Sequence, residues 1–199
     1  MRVYRIPFST NVERVALALA HKGLSVDWVD VDPADRSPVR EISGQELVPV
    51  LVADDGEVVS DSTVILRRLE TNHPDPPLWP PGEAARAELD VFLDWFNRVW
   101  KRPPNLLADE PDRADAPTLA AELRGSLDLF EALLAGRDHL LGDFSAADCA
   151  AFPFLKYGLI HDPDDNEPFH RVLIEHLPLG GRYPRLESWI RRVDARPRA

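Results

Sequence analysis

Three short pieces in the first third of the chain carry groups able to hold a charged or nucleophilic ligand: Ser9 within Pro7-Phe8-Ser9-Thr10-Asn11, the pair Val48-Pro49, and the pair Asp61-Ser62. Ser9 and Asp61-Ser62 each stand just ahead of an apolar periodic segment, where a hydroxyl or carboxylate accepts the amides of a first helical turn. A helix start also attracts anions, so each piece reads either as a plain cap or as part of a binding site. Thr10-Asn11-Val12-Glu13 fits a capping box by itself, which would leave Ser9 as a turn residue. Other chemistry is sparse. Cys149 is the one cysteine, so no internal disulfide, CxxC pair or thiolate cluster can form, and its apolar setting between Ala146 and Leu155 reads as a buried inert thiol. His73, His139, His161, His170 and His176 lack ligand spacing, and Asp162-Pro163-Asp164-Asp165-Asn166 lacks the glycine and closing glutamate of a calcium loop. No metal is expected.

The chain that positions these groups has 199 residues, 44% of them apolar, enough for one large domain or two small ones. Its 23 basic and 34 acidic side chains give a formal charge of −11, divided as 8 − 13 = −5 over residues 1–75 and 15 − 21 = −6 over the rest. A phosphate backbone is repelled by both parts, so no nucleic-acid partner is expected. The longest clean apolar run near the N-terminus, Val15 to Ala20, falls far short of the about 20 residues a membrane span needs. The lone cysteine argues for a reducing, cytoplasmic setting.

Short β-rich runs alternate with helical patterns up to residue 73. Val3 to Ile6 suggests a strand; Val12, Val15, Ala16 and Leu19 recur at helical spacing until Lys22-Gly23 supplies a stop. A β-rich run around Val26 to Val31, a short helix near Ser37 to Ile42, and Val48 to Val52 follow. The turn Asp54-Asp55-Gly56 joins this last run to Glu57-Val58-Val59, and a helix carrying Ile65, Leu66 and Leu69 completes the order βαβαββα. Prolines crowd residues 74–82 and cannot continue a helix, which marks a linker between a domain over 1–73 and one over 83–199. The second domain shows only helical periodicity, with one stripe at Leu89, Phe92, Phe96 and Val99 and another at Leu119, Leu123, Leu127, Phe130 and Leu134. Ser145-Ala146-Ala147-Asp148 reads as a capping box with Asp in the place of Glu.

The order and spacing of Ser9, Val48-Pro49 and Asp61-Ser62, with the proline linker and the Ser145 to Asp148 box, resemble the glutathione transferase superfamily over essentially the whole chain. The resemblance implies a thioredoxin-like α/β domain followed by an all-α helical bundle. Ser9 falls where the serine-type classes, similar to tau and zeta, keep the hydroxyl that activates glutathione. The zeta-like motif reads here as Ser9-Thr10-Asn11-Val12-Glu13-Arg14: serine and arginine match, but Asn11 replaces the cysteine, which speaks against maleylacetoacetate isomerase activity. Thiol exchange is disfavoured too, since Ser9 has no sulfur for a mixed disulfide.

What the resemblance implies for the site is specific. Glutathione is the co-substrate, with its thiolate added to small hydrophobic electrophiles. A cis bond at Val48-Pro49 would turn the Val48 backbone toward the cysteinyl part of the tripeptide. Asp61 would pair with the γ-glutamyl ammonium, and Ser62 would receive its carboxylate. Arg36 and Arg40 lie in the region for the glycine carboxylate, Trp95 and Trp100 are candidates for an electrophile pocket, and a homodimer is implied. Lowering a free thiol of pKa about 8.5 by two units takes about 2.7 kcal/mol. One hydrogen bond to a charged group supplies roughly 1.5 to 3 kcal/mol and a helix start up to about 1 more. A hydroxyl at a helix start therefore suffices. A non-catalytic binding module of the same fold, or an enzyme using another low-molecular-weight thiol, are the alternatives.

Overall fold

In Arg2-Val3-Tyr4-Arg5 the side chain of Val3 is buried while those beside it reach the surface, and these residues form strand β1 (Arg2–Arg5) of the computed structural model, which describes all 199 residues. The sheet order is β2-β1-β3-β4, with β2 at Asp27–Asp30, β3 at Val50–Val52 and β4 at Val58–Ser60. β2 runs parallel to β1, β3 antiparallel to β1, and β4 antiparallel to β3, with Tyr4, Val50 and Ser60 in register. The C-terminal ends of β1, β2 and β4 and the N-terminal end of β3 therefore share one end of the sheet.

Helices cover this sheet as the apolar patterns require. α1 (Thr10–His21) and α3 (Ser62–Asn72) pack together and bury Val15, Leu19, Ile65 and Leu69. α2 (Ser37–Ser43) brings Val39 into a second cluster with Ile6, Val31 and Val50, against which Tyr4, Ile42 and Val48 pack. The observed order βαβαββα is the expected one, including the turn at Gly56, whose φ of +88° only glycine adopts without strain. Residues 73–82 carry no helix or strand. The chain divides into two compact units, Met1–Leu78 together with Arg196–Ala199, and Trp79–Ala195. The last four residues thus belong to the first unit, whereas the sequence pattern runs the helical domain to its end.

The second unit is all helical: α4 (Glu83–Trp95), α5 (Arg102–Asp109), α6 (Ala116–Leu133), α7 (Ala146–Leu155), α8 (Pro168–His176) and α9 (Pro184–Asp194). The expected stripe along α4 holds for Leu89, Phe92 and Phe96 and then breaks. A π-helical turn over Phe96–Trp100, closed by the Lys101 N–H on the Phe96 carbonyl at 3.0 Å, inserts an extra residue. That rotates the register, so Trp100 is 3% exposed and Val99 57%. The α6 stripe is buried throughout, and α7 is buried on every side behind its Ser145–Asp148 capping box. Gly158 follows α7 where an added Cβ would lie 2.3 Å from the Leu177 carbonyl oxygen, a close approach that only glycine permits. No helix is long and apolar enough to cross a membrane.

Candidate functional site

β1 ends at Arg5, and the chain reverses over Ile6-Pro7-Phe8 before α1 begins. The Ser9 N–H donates to the Ile6 carbonyl at 3.3 Å, and Phe8 takes φ +62°, a strained conformation for an aromatic residue. Ser9 is thereby held as the N-cap of α1. Its carbonyl accepts the Glu13 N–H at 3.0 Å and its Oγ accepts the Val12 N–H at 3.4 Å. Thr10, for which the sequence offers a capping box, is instead the first helical residue. The Oγ bond is at the long limit, and the hydroxyl proton has no acceptor within the chain. Ser9 is half-buried and lines a cavity of about 450 Å³ with Ile6, Phe8, Val12 and Trp28.

Val48-Pro49 is cis, and Val48 lies just outside the ladder that ends in the pair Tyr4 and Val50. Its side chain packs on the cluster containing Ile6, which joins this piece to the turn carrying Ser9. Gln45 braces the segment: its Oε1 accepts the Leu47 N–H at 2.6 Å, and its Nε2 reaches the Leu47 carbonyl at 3.0 Å and Ser60 Oγ at 3.5 Å. Ser60 closes β4, immediately before Asp61.

Asp61 caps α3. Its Oδ1 accepts the N–H groups of Thr63 at 2.8 Å and Val64 at 3.1 Å, while the residue is exposed and takes φ +72°. Phe8 and Asp61 are the two non-glycine residues of positive φ in the chain, and each adjoins a candidate group. Ser62 is 4% exposed, and its Oγ accepts from Arg14 Nη1 at 3.3 Å. Arg14, 2% exposed on α1, ties the helix that begins at Ser9 to the start of α3. The sheet register thus carries Ser9, Val48-Pro49 and Asp61-Ser62 to one end, although the 450 Å³ cavity takes in only Ser9 among them. Arg36 is turned to the Pro33 carbonyl at 3.3 Å, and Arg40 pairs with Glu46 at 2.6 Å.

Comparison with known proteins bears on the family of the chain. The N-terminal domain model of the glutathione S-transferases matches residues 3–77, and their C-terminal domain model matches residues 99–197. The chain belongs to the glutathione S-transferase family. It is 32% identical to Glutathione S-transferase 3 of Zea mays over 166 residues, covering 74% of this chain and 73% of that protein. It is 31% identical to FtsZ-localized protein A of Caulobacter vibrioides over 166 residues, 75% of this chain and 73% of the relative. A crystal structure of a glutathione S-transferase from Methylobacterium radiotolerans in complex with glutathione sulfonate superposes with a TM-score of 0.76 at 28% identity, over 98% of this chain and 91% of that one.

Two further candidates of this glutathione S-transferase family member, Trp95 and Trp100, lie in the helical unit. Trp100 donates its Nε1–H to Ser126 Oγ at 2.8 Å and stacks on Phe96 at 4.5 Å, so packing occupies its surface. Trp95 is half-buried among Phe92, Phe96 and Phe130. Sequence reasoning passed over Trp28 and Gln45, whose places depend on contacts between distant segments. Arg14 did leave a signal, as a charge inside an otherwise apolar helical run.

Proposed function

We propose that the protein is a glutathione transferase in which the Ser9 hydroxyl stabilises the glutathione thiolate for attack on small hydrophobic electrophiles. The observation that carries this reading is the state of Ser9: a hydroxyl at a helix start, open to a cavity, with its proton uncommitted within the chain. A thiolate sulfur would accept that proton's hydrogen bond while the α1 N-terminus adds its partial positive charge. In the step, the thiol proton passes to water, the sulfur lone pair forms the new C–S bond, and the leaving group departs with its bonding pair. A hydrogen bond and a helix start supply the needed pKa shift, so the mechanism requires no metal.

On this reading the Val48 backbone pairs with the cysteinyl part of the tripeptide, and Asp61 Oδ2, which takes no hydrogen bond from the chain, meets the ammonium. The hydroxyl and amide of Ser62 at the start of α3 receive the γ-glutamyl carboxylate, with the Arg14 guanidinium directly behind Ser62. Trp95 is the candidate contact for the electrophile in the helical domain, and the enzyme acts as a cytoplasmic homodimer. The test is retention on immobilised glutathione followed by turnover of chlorodinitrobenzene. Both are expected, and failure of both removes glutathione from the reading and favours a different thiol.

A second reading, a non-catalytic interaction module, is favoured by two observations. Ser9 Oγ already accepts an amide, as a plain cap does, and one relative is named for its localisation to FtsZ. Retention without turnover supports this module.

A further inference from the structure

Gly44 ends α2 with φ +74°, and from there to Pro49 the chain carries no helix or strand. Its side chains anchor this loop poorly. Leu47 is 70% exposed, and Glu46 is held through an exposed pair with Arg40 at 2.6 Å and a long contact from Arg36 Nη1 to its carbonyl at 3.5 Å, contacts that contribute little. Gln45 supplies what packing does not. Its carboxamide meets both polar groups of Leu47, Oε1 accepting the N–H at 2.6 Å and Nε2 donating to the carbonyl at 3.0 Å. A reversed amide would set donor against donor and acceptor against acceptor, so its orientation is fixed. Nε2 also donates to Ser43 Oγ at 2.9 Å, and that hydroxyl donates in turn to the Val39 carbonyl at 2.7 Å. Val39 is 0% exposed, in the cluster with Ile6, Val31 and Val50. One carboxamide therefore connects the Leu47 backbone to the core of the first unit, with Ser60 Oγ at 3.5 Å as a long third contact.

The consequence falls on Val48. Leu47 and Val48 share one trans peptide, in which the carbonyl and the N–H point to opposite edges of a single plane. By holding the Leu47 carbonyl, Gln45 Nε2 sets the rotation of that plane and with it the direction of the Val48 N–H on the far edge. That N–H has no acceptor within the chain. It is the donor that the transferase reading assigns to the cysteinyl part of the tripeptide. A hydrogen-bonded carbonyl also polarises its own peptide, which strengthens the N–H as a donor.

We propose that Gln45 is a positioning residue for glutathione: it holds the Leu47–Val48 peptide in the orientation the tripeptide needs, so that the loop is ordered before the ligand arrives. This rests on the transferase reading for its ligand. The test uses the full chain and three variants: Gln45→Met, which keeps the length of the side chain but removes its donor and acceptor, Ser43→Ala, and the two together. Circular dichroism and urea unfolding establish that each is folded. Calorimetry with glutathione is expected to give a Kd about tenfold higher in Gln45→Met and about threefold higher in Ser43→Ala. The double variant is expected to bind no more weakly than Gln45→Met, because both substitutions break the same path. Where chlorodinitrobenzene is turned over, the KM for glutathione rises with the Kd, while kcat and the titration midpoint of the bound thiol keep their wild-type values, since Ser9 is untouched. A wild-type protein that binds no glutathione overturns the transferase reading and this role with it. A wild-type protein that binds, with the same Kd in folded Gln45→Met, overturns the role of Gln45 alone. So does a raised Kd accompanied by a shifted thiol midpoint, or by fully additive losses in the double variant, which would mark a general disturbance of the fold. Should Gln45→Met fail to fold, Ser43→Ala decides, and an unchanged Kd there overturns the proposal.

Discussion

The helix start at Ser145–Asp148 and the helix start at Asp61–Ser62 are built from the same two side-chain types, a hydroxyl and a carboxylate. At α7 the chain consumes them. Asp148 is 0% exposed and accepts from the Leu140 N–H at 3.2 Å, the Ser145 N–H at 2.9 Å and Trp189 Nε1–H at 2.7 Å, while Ser145 Oγ takes the Ala147 N–H at 3.3 Å. At α3 the carboxylate is exposed, uses one oxygen for the first-turn amides, and sits on a strained backbone. Ser9 belongs with the second case, since it caps α1 through one long bond beside the strained Phe8. The difference teaches how to separate a structural cap from a binding one. A cap saturated by buried donors is needed by the fold, whereas a cap left half-used, as at Asp61 with its positive φ and at Ser9 with its ordinary φ of −58°, would on the proposed function keep capacity for a ligand.

The comparison breaks most visibly at Asp148. Asp148→Ala strands three buried donors and is expected to cost about 4 kcal/mol of stability in urea unfolding; a loss below about 1 kcal/mol would put Asp148 on a par with an exposed cap. Asp61→Ala should invert the pattern. Its stability is expected to fall by only about 1 kcal/mol, while glutathione affinity, measured by calorimetry, drops about tenfold through the lost charge-assisted bond. Unchanged affinity would return Asp61 to the structural class.

A third buried carboxylate sharpens the contrast. Burial acts to raise Asp165, but hydrogen bonds from Tyr157 at 2.5 Å and from His170 at 2.8 Å, with the His170 charge, outweigh it and hold its pKa below the usual carboxylate range. For a lowered carboxyl the stability contribution is complete above about pH 4 and is lost as pH falls through the depressed value. Tyr157→Phe removes a lowering contact, so the acid-unfolding midpoint should move to higher pH, with about 1 kcal/mol less stability at neutral pH. An acid midpoint that stays in place would show that Asp165 is not held by its donors.

What the sequence disclosed follows the range of the forces involved. The Ser145–Asp148 box, the Gly56 turn and the α6 stripe rest on contacts within a few residues, and their patterns were readable directly. The π turn at Phe96–Trp100 was not, because the insertion that exchanges Val99 for Trp100 answers to packing around Phe130 and Phe154. The choice of Ser9 over Thr10 as cap, and the positive φ of Phe8 and Asp61, depend on where β1 and β4 deliver the chain. The contact between Trp28 and Ala199 is the extreme case: it spans 171 residues of sequence, and no local pattern at either position announces it.

The central claim is that the Ser9 hydroxyl holds the thiolate, and it is tested most directly by titrating protein-bound glutathione through thiolate absorbance in the wild type and in Ser9→Ala. The account predicts a wild-type midpoint about two units below the free thiol's, and a rise of about one to two units in the variant while glutathione stays bound. The same midpoint in both proteins, at equal glutathione occupancy, would contradict it.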